Sequence, residues 1–257
     1  MKAWVIRLAD RLLRLTCLQF WPVRVRAGIA AGARWTLYPC SAYWRGTHEP
    51  SLQQALRDLG DIQGWSCWDL GAHYGIYSVG LARRAGAKGE VAAFEPNPIS
   101  YARLERHRRM NGLSTLKTFS AALSDRNGAA DLLTYGDLRS TTTHLAYEHE
   151  TLGATTQPIR VQTLVLDDLV ASGQLRPPQL IKVDVEGHAH RALAGAARTL
   201  VEHRPVLIVA FHSTEEVNGV LALLTPLGYS HAMIPTESGS TDPMIGHDLI
   251  FTPVSRR

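Results

Sequence analysis

The 257-residue sequence predicts an α/β fold: a doubly wound, mostly parallel sheet with an antiparallel last strand and an N-terminal helical extension. From Trp65 onward, short apolar runs alternate with stretches of helical periodicity, the pattern of a parallel sheet covered on both faces. A D-x-G-x-x-x-G turn, Asp69 to Gly75, stands where the first strand meets the first helix. Open α/β sheets bind ligands at such turns. The last two strand-like runs follow one another without a helix between them, so they are expected to pair antiparallel.

Taken in order, Trp65–Leu70 reads as a strand, Ile76–Ala85 as a helix and Val91–Glu95 as a strand. Pro98–Asn111 reads as a helix closed by Gly112, since Gly or Asn commonly stands just past a helix end. Leu116–Ser120 is a short strand. The polar, Thr-rich stretch 131–162 reads as an insertion, with strands at Asp131–Tyr135 and Ile159–Thr163 around a loop. Leu180–Asp184 and Val206–Phe211 are strands followed by helices at Ala189–Val201 and Glu215–Leu227. Tyr229–Ile234 and Leu249–Thr252 close the sheet. The expected organisation is one domain over 46–257, carrying the insertion, behind a basic amphipathic extension over 1–45.

Apolar residues make up 45% of the chain, a globular composition. The net charge of +4 is a mild basic excess that identifies no partner. Cys17, Cys40 and Cys67 lie far apart. They suggest neither a disulfide framework nor a zinc site, but free thiols in a reducing cytoplasm. No apolar run approaches the roughly 18 residues of a membrane span. Residues 1–34 carry seven Lys or Arg against one acid, Asp10, and Trp4, Leu8, Leu12 and Leu15 recur at helical spacing. Charges interrupt this run, which argues against a signal peptide. Two readings stand: a surface helix packed on its own domain, or a helix lying on an anionic membrane at the inner surface. The oligomeric state is left open.

Three blocks carry chemistry. In the turn Asp69-Leu70-Gly71-Ala72-His73-Tyr74-Gly75, Gly71 would let a ligand approach the backbone, and Gly75 would let the helix start tight against the strand. The spacing differs from the G-x-G-x-x-G of dinucleotide enzymes, so a nucleoside ligand without phosphates fits better. Glu95, in Phe94-Glu95-Pro96-Asn97, ends the next strand, where an acid accepts hydrogen bonds from ribose hydroxyls. Lys182, Asp184 and Glu186 alternate along a strand and are expected on one face. Three charges there are costly unless paired or used.

In this order and spacing, the blocks resemble the FkbM family of S-adenosylmethionine-dependent methyltransferases. The resemblance runs from about Gly46-Thr47-His48-Glu49-Pro50 to Phe211-His212. It includes D-x-G-A-x-x-G-x-Y-S from Asp69, F-E-P-N-P from Phe94 and A-L-S-D from Ala122. It continues through T-L-x-L-D-D-L from Thr163 and K-x-D-V-E-G from Lys182. It implies a class I, Rossmann-like fold, S-adenosylmethionine as cofactor, and O-methylation of a sugar, glycolipid or natural-product hydroxyl. Asp69, Gly71, Ala72 and His73 would surround the methionine portion, with Gly75 behind them. Glu95 would hold the ribose, Pro96 and Asn97 the adenine side, and Ala121 and Ala122 the base. Glu49 would help close the pocket. His73 stands where the family usually has Asn, and Ala210 stands where many members carry an acid.

An alcohol acceptor must lose a proton, and a histidine has a suitable pKa. His212, just past a strand end, is the expected base. Asp184 comes second, as base or orienting acceptor, and Lys182 is grouped with them. Arg139, Ser140 and Thr141 in the insertion, with Glu186, are the expected acceptor-side contacts. His188 and His190, two apart at a helix start, make poor geometry for a shared metal, and no metal is expected. The basic residues lack an interleaved aromatic platform for nucleic acid. A nicotinamide-dependent oxidoreductase and a non-catalytic nucleoside-binding module are the rival readings.

Overall fold

Short parallel strands buried on both faces build the centre of the molecule. The computed structural model describes residues 21–37, 42–134, 143–146, 158–235 and 244–254. The chain begins with a hairpin, β1 (Pro22–Arg24) and β2 (Arg34–Thr36), and two helices, α1 (Ala42–Arg45) and α2 (Pro50–Asp58). The sheet starts with β3 (Ser66–Leu70), α3 (Ile76–Ala85), β4 (Glu90–Phe94), α4 (Pro98–Met110) and β5 (Leu116–Phe119). A side sheet follows, from β6 (Ala122–Leu123), β7 (Gly128–Thr134), β8 (Thr143–Ala146) and β9 (Ile159–Leu164). The chain returns through α5 (Leu166–Ala171), β10 (Leu180–Val183), α6 (Ala189–Ala194), α7 (Ala197–His203) and β11 (Val206–Ala210). It continues with α8 (Thr214–Leu224), β12 (Tyr229–Ile234) and β13 (Asp248–Pro253).

The main sheet has the order β12-β13-β11-β10-β3-β4-β5. Strands β3, β4, β5, β10 and β11 are parallel, and β13 runs antiparallel to both β11 and β12. The doubly wound α/β expectation and its antiparallel last strand both hold. Strand β3 is flanked by β4 and β10, so the order reverses there. The ligand crevice belongs outside the carboxyl ends of these strands.

Alternation sends successive side chains to opposite faces. Trp68, Leu70, Phe94, Ile181, Val183, Leu207 and Val209 join one buried cluster, with Leu193 and Leu200 above them. Cys67, Val91, Ala93, Leu180 and Ile208 join the other, with Val79 and Leu104. Asp69 and Lys182 are register partners, and by parity they lie on this second face. Cys67 is a buried free thiol; Cys17 and Cys40 lie outside the described residues.

Four features depart from the sequence reading. First, the part of the 1–45 extension that is described shares the domain core. Val25, Ile29, Ala33 and Trp35 belong to the same cluster as Cys67 and Val79. Trp35 stacks on His107 at 3.5 Å between ring centres, and His107 Nδ1 donates to the Tyr74 carbonyl while its Nε2 meets the Thr36 hydroxyl. Residues 1–20, with the expected amphipathic helix, lie outside the described residues. Second, α2 was not anticipated, although Leu52 and Leu56 give it a buried stripe.

Third, the helix expected over Ala189–Val201 is two helices. A Cβ on Gly195 would stand 2.2 Å from the Ser124 carbonyl. Asp167 starts the second helix from outside, accepting the amides of Arg198 and Thr199 at 2.8 and 3.0 Å. Fourth, the expected strands of the insertion pair antiparallel, with Leu132 opposite Ile159, and gain β6 and β8 as neighbours. Arg139, Ser140 and Thr141, between β7 and β8, lie outside the described residues. Among the described residues no helix is long and apolar enough to cross a membrane.

Candidate active site

Gly71 makes the site's floor possible. Its φ is +80°, and a Cβ there would stand 1.8 Å from the carbonyl oxygen of Asp184. The glycine therefore lets the turn after β3 touch the turn after β10. It does so by admitting backbone, where the sequence reading had it admitting ligand. The amides of Gly71 and Ala72 both donate to the Phe94 carbonyl at 3.0 and 2.9 Å, locking the same turn to β4. Gly75 likewise serves packing: at φ +84°, its Cβ would meet Leu104 of α4 at 2.4 Å. The close approach is to the next helix, not to the strand.

These turns enclose a cleft of about 280 Å³, at the lower edge of the roughly 300–1,000 Å³ usual for small-molecule sites. Its lining brings Glu95, Pro96, Asn97, Ala121 and Ala122 together with Glu49, Asp184, Glu186 and His212. Tyr43, His48, Gly71, His73, Ser100, Leu132 and His188 lie on the wall as well. Three of the four described non-glycine residues with positive φ, namely Glu49, His73 and Glu186, are on this wall. Strained backbone of this kind collects at functional sites.

Glu95 is 5% exposed. Its two oxygens accept the amides of His73 at 2.7 Å and Asn97 at 2.8 Å. Burial raises its pKa to about 7 against those two amides. A carboxylate oxygen has two lone pairs, so each oxygen keeps one acceptor for a ligand hydroxyl, which suits a ribose diol. Asn97 is spent differently: its side chain caps α4, accepting the amides of Ile99 and Ser100. His73 is held neutral by burial, its pKa pushed down to about 3, and its Nδ1 bonds the Tyr43 hydroxyl at 2.9 Å.

Among the described residues, four expected ones, Asp69, Ala72, Gly75 and Lys182, do not line the cleft. Ala72 is buried in the turn and Gly75 starts α3. Asp69 lies beneath the site, fully buried, where the Ser78 hydroxyl donates to it at 2.5 Å and Lys182 Nζ approaches to 3.5 Å. Lys182 also stands 3.4 Å from Asp184. Burial opposes the lysine's charge, but Asp184, Asp69 and Glu49 outweigh it and hold its pKa well above the ordinary range. A lysine that stays charged at 2% exposure cannot take up a proton, so its place is as a buried counter-ion to Asp69 and Asp184. The expected one-face row of Lys182, Asp184 and Glu186 is also corrected. The strand ends at Val183, and Glu186 has φ +46° in the turn beyond.

That turn brings Glu186 to His212. Nε2 of His212 lies 3.1 Å from Asp184, and Nδ1 lies 3.4 Å from Glu186. Burial disfavours the imidazolium, yet Asp184 and Glu186 raise its pKa to about 9. Asp184 is shifted the other way: burial raises it, but Lys182 and His212 hold it well below the carboxylate range. Asp184, Glu186 and His212 offer ligand atoms within 4.8 Å of one another.

The sequence reading missed Tyr43, His48 and Tyr77, which gather around Glu49. The Tyr77 hydroxyl donates to Glu49 at 2.5 Å and His48 lies 3.2 Å from it. It also missed Asp248, at the start of β13, whose pKa burial raises to about 6, helped by Glu49 and Asp184. His48 and Tyr77 stand inside blocks of the family resemblance and Tyr43 lies close to one of them, whereas Asp248 offered no signal.

Comparison with known proteins gives the family. A model described as the methyltransferase FkbM domain matches residues 69–231. The hexuronic acid methyltransferase AglP of Haloferax volcanii is 29% identical over 215 residues, covering 80% of this chain and 79% of its own. The 2-O-methyltransferase NoeI of Sinorhizobium fredii is 31% identical over 130 residues, covering 46% and 51%. The crystal structure of an FkbM methyltransferase from Methylobacillus flagellatus KT is similar over 73% of this chain and 43% of that one, with 19% identity and a TM-score of 0.49. The family model and the two named relatives displace the nicotinamide reading. The FkbM model spans more than half of the chain, and the protein belongs to the FkbM family of S-adenosylmethionine-dependent methyltransferases.

Proposed function

We propose that this enzyme methylates a hydroxyl group of a sugar, free or within a glycan or glycolipid. One observation carries the reading: the Asp184–His212–Glu186 array and the Glu95 carboxylate line the same cleft. The named activities of the two relatives, on a hexuronic acid and at a 2-O position, support a sugar hydroxyl. The bound cofactor supplies an already activated methyl group. The chain's own task is to hold the ribose at Glu95, align the acceptor beside Asp184 and His212, and remove the hydroxyl proton there. Asp184 orients the His212 ring, and the neutral ring takes the proton. Arg139, Ser140 and Thr141 are proposed to meet the acceptor's other hydroxyls.

The test combines calorimetry and turnover. S-adenosylhomocysteine should bind, and Glu95→Ala should weaken it at least about tenfold, since a hydrogen bond to a charged group contributes roughly 1.5–3 kcal/mol. The wild-type enzyme should then form O-methyl products from a panel of neutral and uronic methyl hexopyranosides. Intact cofactor binding with no O-methyl product from any of them would return the chain to a nucleoside-binding module.

We further propose peripheral contact with an anionic membrane through the N-terminal face. Trp21 is 61% exposed. Arg24 and Arg34 are exposed cross-strand neighbours, an arrangement of like charges that is unfavourable without an anionic partner. Arg26 and Arg45 are exposed as well and lie over the Trp44 ring at 4.8 and 5.7 Å. Each Lys or Arg near an anionic bilayer contributes about 1 kcal/mol. The protein should therefore sediment with phosphatidylglycerol vesicles and not with neutral ones. Arg24→Glu with Arg34→Glu should reduce the bound fraction. Equal, negligible sedimentation with both vesicle types would remove this proposal.

A further inference from the structure

Glu216 is a carboxylate with no exposure to solvent. Its backbone explains part of its placement: Ser213 is the N-cap of α8, and the Ser213 hydroxyl accepts the Glu216 amide at 3.2 Å. Ser213-Thr214-Glu215-Glu216 thus has the S-x-x-E spacing of a capping box, in which the glutamate ordinarily reaches back to the amide of the cap residue itself. Here it reaches elsewhere. One oxygen accepts the amide of His212 at 2.8 Å, and the other accepts the amide of Ala189 at 2.8 Å. Those two amides belong to different segments. His212 ends the loop after β11, and Ala189 opens α6, directly after the turn that carries Asp184 and Glu186.

The helices bearing the clamp are themselves close. A Cβ on Gly219 of α8 would stand 2.6 Å from the Cβ of His190 in α6. A buried carboxylate is costly unless its hydrogen bonds are satisfied, and two amides from separate segments satisfy this one only while those segments keep their spacing. We propose that Glu216 is a positioning residue that fixes the end of β11 against the start of α6, so that the His212 ring stays between Asp184 and Glu186. The inference rests on the reading of His212 as the group that takes the acceptor's proton. Glu216 touches neither cofactor nor acceptor and acts through the backbone of His212.

The test observes the ring itself and needs no acceptor. The His212 ring signals, assigned with His212→Gln, are titrated by NMR in the full chain. The wild-type ring should titrate near 9. Glu216→Gln puts an amide NH₂ against one of the two backbone N–H groups. Glu216→Asp keeps the charge but is one methylene too short to reach both. Glu216 also faces His212 as a charge, so Glu216→Gln lowers the ring's pKa through charge as well as position. Glu216→Asp, which keeps the charge, is the decisive variant: its His212 pKa should fall toward the ordinary value of about 6.5, a loss of proton affinity on the order of a hundredfold. S-adenosylhomocysteine affinity should stay within about twofold, because Glu216 is not among the residues that line the cleft with Glu95. Ser213→Ala, which weakens the helix cap alone, should lower Tm and leave the His212 titration in place. An unchanged titration in whichever Glu216 variant folds would overturn the proposal, as would an equal shift in Ser213→Ala. Failure to find any methylated sugar would remove the proposed function and leave this measurement readable.

Discussion

His212→Ala should lower kcat by about 10²–10⁴-fold, the range typical of general base catalysis, while S-adenosylhomocysteine affinity changes by less than about twofold. The geometry gives this expectation its pH dependence. In the free protein both ring nitrogens are engaged, Nε2 with Asp184 at 3.1 Å and Nδ1 with Glu186 at 3.4 Å. The longer contact, to a carboxylate on the cleft wall, is the one an acceptor hydroxyl can replace. Asp184 then keeps Nε2 protonated and the ring oriented, leaving Nδ1 to take the proton. Only the neutral ring can act. With the pKa raised to about 9 by its two carboxylates, the wild-type rate should rise with pH through that value, well above an ordinary histidine limb. Asp184→Asn removes the principal hydrogen-bonding carboxylate, so its limb should move down toward pH 7 even as kcat falls. The stability contribution runs oppositely. A raised histidine pKa stabilises the folded chain fully below the unfolded value, and that stabilisation is lost as pH climbs through about 9. A His212→Ala enzyme with near-wild-type kcat and an unchanged pH profile would remove His212 as the base.

The parts of this site that the sequence revealed are local ones. Asp69, Gly71, Gly75 and Glu95 announce themselves because a strand-to-helix turn and a strand-terminal acid are short-range patterns, and the strand periods around them are strong. The same locality explains the errors. Gly71 looked like a place for ligand, because nothing nearby in the chain reveals that the Asp184 carbonyl will lie against it. Asp69 looked like a ligand contact, yet its neighbours are Ser78 and Lys182, and the second is set by the pairing of β3 with β10. Gly195 breaks a helix whose apolar period runs on through it, for the sake of a packing contact with Ser124. Alternation predicted one face for Lys182, Asp184 and Glu186, but the strand ends before the last two, and the positive φ of Glu186 turns it toward His212. Tyr43, Asp248 and Glu216 come from three separate segments and meet the site only through tertiary packing.

Gly71→Ala should be among the most destabilising substitutions in the chain, and the comparison with Gly187→Ala isolates why. Both glycines sit in the left-handed region, at φ +80° and +89°. An alanine held there costs about 1–2 kcal/mol. The surroundings differ: a Cβ at Gly187 would have nothing within 4 Å, whereas a Cβ at Gly71 would lie 1.8 Å from the Asp184 carbonyl oxygen and 2.8 Å from its carbon. Those are backbone atoms between two central strands, so relief requires the turns after β3 and β10 to separate. Overpacking of this kind typically adds 1–3 kcal/mol, bringing the total to roughly 2–5 kcal/mol. For a domain of this size each kcal/mol lowers Tm by about 2–4 °C. Gly71→Ala should therefore melt on the order of 10 °C below the wild type, and Gly187→Ala only a few degrees below. The displacement also carries Asp184 away from His212. The surviving folded Gly71→Ala protein should thus lose turnover beyond its loss of stability, and its His212 ring should titrate below 9. Thermal denaturation of the two variants side by side decides the matter. Equal losses of Tm would mean that the contact with Asp184 places no demand on Gly71 beyond its backbone conformation.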